Sequence, residues 1–198
     1  MSARLGYGLR HPEVARVLAG THAVVATYDE RPAEDLHIRT TGFFGTVPLP
    51  DDFVVSIRCL VRVGDELVVC TNAHGSHPWP GGRREAGESY ERTAIREVYE
   101  ETGWHLDPVS IQPLGWLHLE HLIARPDDWS WPHPDWFQVV LSADATRRER
   151  DVWTDLDGGY EATSCLAPID AALKMVADNS VAAAFIRAAL ETGTAAGN

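Results

Sequence analysis

Residues 82–104 read GRREAGESYERTAIREVYEETGW, and the second half of that stretch has the period of a helix. From Ser89 to Thr102, the residues Ala94, Ile95, Val98 and Thr102 recur at helical spacing along one side. Gly103 stands where a left-handed terminator belongs. Glu97, Glu100 and Glu101 follow at i, i+3 and i+4, so the three carboxylates share one face. Like charges at that spacing repel by about 0.2–0.5 kcal/mol per pair, and the cluster therefore calls for a positive partner. Carboxylates clustered without His or Cys describe a hard-cation site. Mg²⁺, with substrate phosphate and waters in its remaining positions, is the simplest occupant. Arg96 lies four residues before Glu100 and can hold a carboxylate in one rotamer. The plain alternative is a solvated acidic helix face.

Outward from this helix, the preceding stretch NAHGSHPWPGGRREAGES (72–89) is rich in Gly and Pro and reads as a loop. Gly81 and Gly82 allow a tight backbone path that brings main-chain groups close to a ligand. Before the loop, FVVSIRCLVRVGDELVVCT (53–71) reads as two strands turned by Gly64-Asp65. After the helix, strands are expected around 111–121 and 136–143. Between them lies a loop carrying Trp129, Trp131, Pro132 and Pro134. Ala-rich helices are expected near 168–177 and 179–191. Towards the N-terminus the pattern is weaker: a short helix over 11–19 and strands around 22–28 and 36–44. Strands, one central helix and terminal helices together give an α/β sandwich, a mixed sheet flanked by helices. Residues 1–50 read as an N-terminal extension packed on a domain spanning 51–198.

The 198 residues, 44% of them apolar, suffice for one core. No run of eighteen apolar residues and no compact signal-like segment occurs, so the expectation is a cytoplasmic chain that spans no membrane. Cys59, Cys70 and Cys165 show no CxxC spacing and read as small core residues in a reducing compartment. A net charge of −12 argues against binding a nucleic-acid polymer, which gathers Lys and Arg. It also means that an anionic ligand needs local positive charge, which a bound divalent cation supplies.

Gly82, Glu88, Arg96, Glu97, Val98, Glu100, Glu101 and Gly103 match the Nudix box, GX5EX7REUXEEXGU, at each fixed spacing. Seven invariant letters at average frequencies give a chance match on the order of 10⁻⁸ per starting point. Pro80-Gly81-Gly82 with Glu85 and Gly87 also resembles the broader PGGxxExGE form. Trp104 departs from the usual aliphatic at the last position. The resemblance implies a Nudix-type α/β/α sandwich. It also implies a metal site of Glu97, Glu100 and Glu101 with the Gly82 carbonyl, holding Mg²⁺ or Mn²⁺. Arg96 would orient a glutamate, and Glu88 would brace the loop or reach the metal through water. The implied reaction is attack of water at a phosphorus of a nucleoside-diphosphate-linked or related small molecule. Glu97, Glu100 or a glutamate from a later segment would take the proton. A homodimer is a further expectation of the resemblance.

Arg83 and Arg84 in the loop stand as candidate phosphate-binding residues, weighed equally against plain exposure. His118 and Glu120 share a strand face, with an ordinary structural role the leading reading. His74 and His77 read as loop residues, too few for zinc. The Trp-rich loop suits nucleobase stacking, and equally well anchoring in the core or a dimer contact. Two other functions compete with hydrolysis: a ligand sensor that has lost turnover, and isomerase chemistry on an isoprenoid diphosphate. The intact box disfavours the sensor, and no residue recognised here supports the isomerase. ADP-ribose pyrophosphatases carry a proline beyond the box where this chain has His118 and Leu119, so substrate is not nominated by the sequence.

Overall fold

The weakly patterned residues before Pro50 supply a helix and two long strands. The computed structural model describes residues 4–5, 8–20, 22–33, 36–72, 75–125, 127, 129–149 and 163–195. A small antiparallel pair, β1 (Arg4–Leu5) and β2 (Gly8–Leu9), precedes α1 (Pro12–Leu18). Then come β3 (Val24–Ala33) and β4 (Leu36–Phe44). The expected hairpin follows as β5 (Val54–Val63) and β6 (Glu66–Asn72), turned at Gly64 with φ 60°. A short β7 (Gly75–His77) pairs with β6 inside the stretch expected to be wholly loop.

The acidic helix is α2 (Tyr90–Thr102). The Ser89 side chain accepts from the Arg92 amide, and Gly103 ends the helix at φ 72°. Beyond it lie β8 (Trp104–Leu106), β9 (Gln112–His121), β10 (Asp135–Arg148), β11 (Thr163–Pro168), α3 (Ile169–Met175) and α4 (Ser180–Ala195). The strands of β8 and β11 were not anticipated, because neither carries a clear apolar alternation.

One mixed sheet runs in the order β11-β6-β5-β10-β9-β4-β3. Only β5 and β10 are parallel neighbours along that path. Alternation along the strands sends side chains to two cores. Ile57, Cys59, Val61, Phe137, Val139 and Leu141 pack with Ala94 and Val98 of α2 and Val14 of α1. Leu60, Leu117, Leu119, Trp136 and Val140 pack with Ala172 of α3 and Val181, Phe185 and Ile186 of α4. Helices therefore cover both faces, which is the expected three-layer sandwich. Each fully buried aliphatic or aromatic side chain contributes about 1.5–3 kcal/mol, an upper figure when the unfolded chain is already compact.

Cys59 and Cys70 lie in the core as expected, but Cys165 is exposed. Its strand, β11, is the sheet's edge, so a residue there need not be enclosed. Among the described residues no helix is long and apolar enough to cross a membrane.

Candidate active site

The glycine-rich loop is strung along β5. The Cys59 amide donates to the Pro80 carbonyl at 3.0 Å and the Ile57 amide to the Gly82 carbonyl at 2.9 Å. Gly81 has φ 150°, and a Cβ there would collide with the Ile57 carbonyl oxygen. A Cβ at Gly82 would collide with the Glu97 carboxylate. These two glycines thus let the loop pass between β5 and α2 with its backbone against the acidic face. The Gly81 amide donates to Glu101 Oε2 at 2.8 Å, which fixes the third carboxylate of the cluster.

Arg96 is the positive partner that the acidic spacing demands. Its Nε and Nη2 donate to the two carboxylate oxygens of Glu88, each at 2.9 Å. Nη1 donates to Glu97 Oε1 at 2.8 Å and Glu100 Oε2 at 2.9 Å, while Nη2 also reaches the Arg83 carbonyl at 2.9 Å. One guanidinium therefore ties the loop residue Glu88 to two helix carboxylates. Glu88 is held down at about 2, chiefly by the Arg96 hydrogen bonds, with the Glu85 amide and Thr93 hydroxyl adding to the effect. Glu97 goes the other way. Its burial pushes it above the usual carboxylate range despite the pull of Arg96.

Arg84 pairs with Asp51 at 2.6 Å, donates to the Glu88 carbonyl at 3.2 Å and lies over the Tyr90 ring at 4.9 Å. These contacts commit it to holding the loop. Arg83 instead lies over the Trp131 ring at 4.8 Å. The Trp-rich loop is anchored in the core: Trp129 lies 4.5 Å from His121, 5.2 Å from Trp131 and 5.3 Å from Trp136, between ring centroids. Trp104, the departure from the motif, pairs in β8 with Arg148, whose guanidinium lies 5.9 Å above its ring and donates to the last helix carbonyl, Thr102, at 3.0 Å.

His118 and Glu120 do share a face, and both are buried. His118 Nε2 lies 2.7 Å from Asp135 Oδ1, and Arg10 joins Asp135 at 3.0 Å and Glu120 at 2.6 Å. Burial pushes Asp135 up, but His118 and Arg10 together outweigh it and hold the group below its ordinary range. This network ties the N-terminal segment to β9 and β10. His77 lines a cleft that Arg58 also borders, and His74 lies outside the described residues.

Sequence reasoning missed Arg58. Its Nη1 donates to the Gly81 carbonyl and its Nε to Gln138 Oε1 at 3.4 Å. It is among the charges that favour ionised Glu97. The available signal was a cation within residues 57–61, whose other members, Ile57, Cys59, Leu60 and Val61, are apolar. Arg58 lines a cleft of about 270 Å³ bounded by β3, β4, β9 and the turn between α3 and α4. The glutamates of α2 lie outside that cleft, and Arg58 bridges it to the glycine loop.

A model of the NUDIX domain matches residues 52–188. The chain belongs to the Nudix hydrolase family. Nudix hydrolase 3 of Caenorhabditis elegans is 40% identical over 52 residues, 26% of this chain; the chain spans only 20% of that relative's length. The fold is similar to that of the Bacillus subtilis pyrophosphohydrolase BsRppH, crystallised as a glutamate-to-alanine mutant. The TM-score is 0.57 at 18% identity, covering 84% of this chain and 98% of that one. A NUDIX hydrolase from Nitrosomonas europaea gives a TM-score of 0.53 at 18% identity, covering 70% and 89%.

The donors of this Nudix chain fit a hard divalent cation in kind: Glu97, Glu100 and Glu101 offer carboxylate oxygens, Gly82 lies against the Glu97 carboxylate, and the Gly82 carbonyl, which accepts from the Ile57 amide, has a second lone pair. They are not a finished cage. Among the described residues no three acidic, His or Cys side chains converge as a ligand set, and Arg96 spans Glu97 and Glu100. A cation there would share those oxygens with the guanidinium or turn them away from it.

Proposed function

We propose that this chain is a Mg²⁺-dependent hydrolase, with Mn²⁺ as a substitute, that cleaves the phosphoanhydride bond of a nucleoside-diphosphate-linked small molecule. The observation that carries the reading is the junction at Arg96, where Glu88, Glu97 and Glu100 meet beside the glycine loop and Glu101. Such a junction holds several carboxylates in fixed rotamers beside the glycine loop. A purely structural helix face does not require two glycines to bring its backbone against those acids.

In this reading Glu97, Glu100 and Glu101, with the Gly82 carbonyl, hold the cation, which when bound supplies Lewis acidity at a phosphoryl oxygen and lowers the pKa of water. Arg96 keeps Glu97 and Glu100 oriented, and Glu88 fixes Arg96 against the loop. Arg58, one peptide from Gly82, offers positive charge to the substrate phosphates, and Arg83 offers a second cation from the loop. Either Glu97 or Glu100 takes the proton of the attacking water.

Mass analysis of products from dinucleotides, nucleotide sugars and nucleoside triphosphates, with Mg²⁺ or Mn²⁺, tests this directly. Turnover of at least one compound and its loss by at least about 100-fold in Glu101→Gln are expected. Unchanged turnover in Glu101→Gln refutes the ligand set. Glu97→Gln and Glu100→Gln should both weaken metal binding, and the one whose kcat stays low at saturating Mg²⁺ identifies the base.

A further inference from the structure

The cleft beside Arg58 has opposite charge at its two ends. At one end the Arg58 guanidinium donates to the Gly81 carbonyl, next to Gly82 and the Glu97 carboxylate. At the other, the lining is Tyr28 and Glu30 from β3 and Asp178 from the turn before α4. Burial raises the Tyr28 hydroxyl, and the fields of Glu30 and Asp178 raise it further, so both carboxylates act on the same corner. β10, β9 and β4 lie between β5 and β3 in the sheet, and from them Leu117 and Leu119 give apolar lining between the ends, while Thr40 and Gln138 give polar contacts.

The size limits what enters. Pockets for whole drug-sized ligands run from about 300 to 1,000 Å³, so about 270 Å³ suits one part of a substrate, such as a single nucleoside. The charge gradient sets its direction. A phosphate is favoured at Arg58 and opposed at Glu30 and Asp178, where hydrogen-bond donors such as sugar hydroxyls or an exocyclic amine are favoured.

We propose that this cleft takes the nucleoside half of the substrate, with its 5′-phosphate at Arg58, and that Glu30 and Asp178 select against nucleosides carrying a further phosphate on the ribose. The inference rests on the proposed hydrolysis for its biological sense, but its test does not need turnover. Glu30 and Asp178 would act as specificity-determining residues that touch the far end of the ligand, while Arg58 anchors the near end.

Calorimetric binding to the full chain, without added metal, separates the outcomes. The probes are the common nucleoside 5′-monophosphates and the matching 3′,5′- and 2′,5′-bisphosphates. At least one 5′-monophosphate should bind, and its bisphosphates should bind about five-fold to ten-fold more weakly. Glu30→Gln with Asp178→Asn, shape-preserving changes at the rim, should narrow that gap, read as the ratio of the two Kd values, even though loss of the carboxylates also weakens the monophosphate. Arg58→Met should weaken the monophosphate, with Arg58→Lys restoring part of it. Equal or tighter binding of the bisphosphates to the parent overturns the proposal, as does an unchanged gap in the double variant or the absence of any monophosphate binding. If binding behaves as stated and no compound is hydrolysed, the hydrolase reading fails and the cleft assignment stands. If hydrolysis occurs with indifference to ribose phosphates, the reverse holds.

Discussion

Arg96 concentrates the electrostatics of the site in one side chain. It is paired with Glu88, Glu97 and Glu100 and is about one-quarter exposed, at 24%. Removing it leaves three carboxylates facing one another without the charge that holds them. Arg96→Ala should therefore lower stability by about 1.5–3 kcal/mol, the range for hydrogen bonds to charged groups, read from urea unfolding. It should also cut activity by about 10-fold to 100-fold, as loss of a group that orients ligands does. Glu88 supplies a pH signature. Its folded value of about 2 lies below the ordinary 4.5, so folding favours its charged form. The stability it adds is present above pH 4.5 and is lost as pH falls towards 2. Glu88→Gln should flatten that part of the stability profile, and an unchanged acid limb would show that Arg96 does not hold Glu88 in solution. The spacing of Arg96, Glu97, Glu100 and Glu101 made this junction legible before any fold was known. Arg58 was not legible, because its partner carbonyl at Gly81 lies across a loop and no local spacing joins the two residues.

Helix α2 is set by short-range chemistry at both ends, which explains why its limits could be read directly. Ser89 satisfies an orphan amide of the first turn, and Gly103 at φ 72° turns the chain away at the last. Arg148 then places its cation on the Thr102 carbonyl, where the helix dipole favours positive charge. A left-handed residue with a Cβ costs about 1–2 kcal/mol, so Gly103→Ala should lower stability by that amount. Activity per folded molecule should hardly change, since Gly103 touches none of the carboxylates at the Arg96 junction. A large loss of kcat with normal unfolding would show that the C-terminal turn positions the site. The hairpin of β5 and β6 was legible for the same local reason, its turn at Gly64. In contrast, β8 and β11 exist through pairing with β10 and β6, which are distant in sequence, and β7, although it follows β6 directly, is only three residues long, so these short sequences carry little pattern of their own.

At the scale of the whole molecule, contacts distant in sequence decide how the N-terminal residues join the rest. β3 and β4 extend the sheet through β9. Arg10 reaches further, donating to Asp135 and Glu120 at the adjoining ends of β10 and β9. Asp135 is only 1% exposed, so its charge depends on Arg10 and His118 for compensation. Removing one partner of a buried charged group typically costs about 3–5 kcal/mol, because the remaining charge is left without its counter-ion. Arg10→Met should therefore destabilise the entire sheet by an amount near the lower end of that range, since His118 remains. The sign with pH follows from Asp135. Its folded value lies below the ordinary 3.8, so the stability it adds is present above that pH and is lost as pH falls through the folded value. Without Arg10, burial is less fully opposed, and acid unfolding should begin at higher pH. Asp135→Asn in the Arg10→Met background removes the stranded charge and should recover part of the loss. Unfolding followed by tryptophan fluorescence, which reports Trp116 and Trp136 in the two cores, should stay a single transition in each variant. A separate early transition in Arg10→Met would mean that the N-terminal residues fold as their own unit, joined to the sheet by little more than the chain itself.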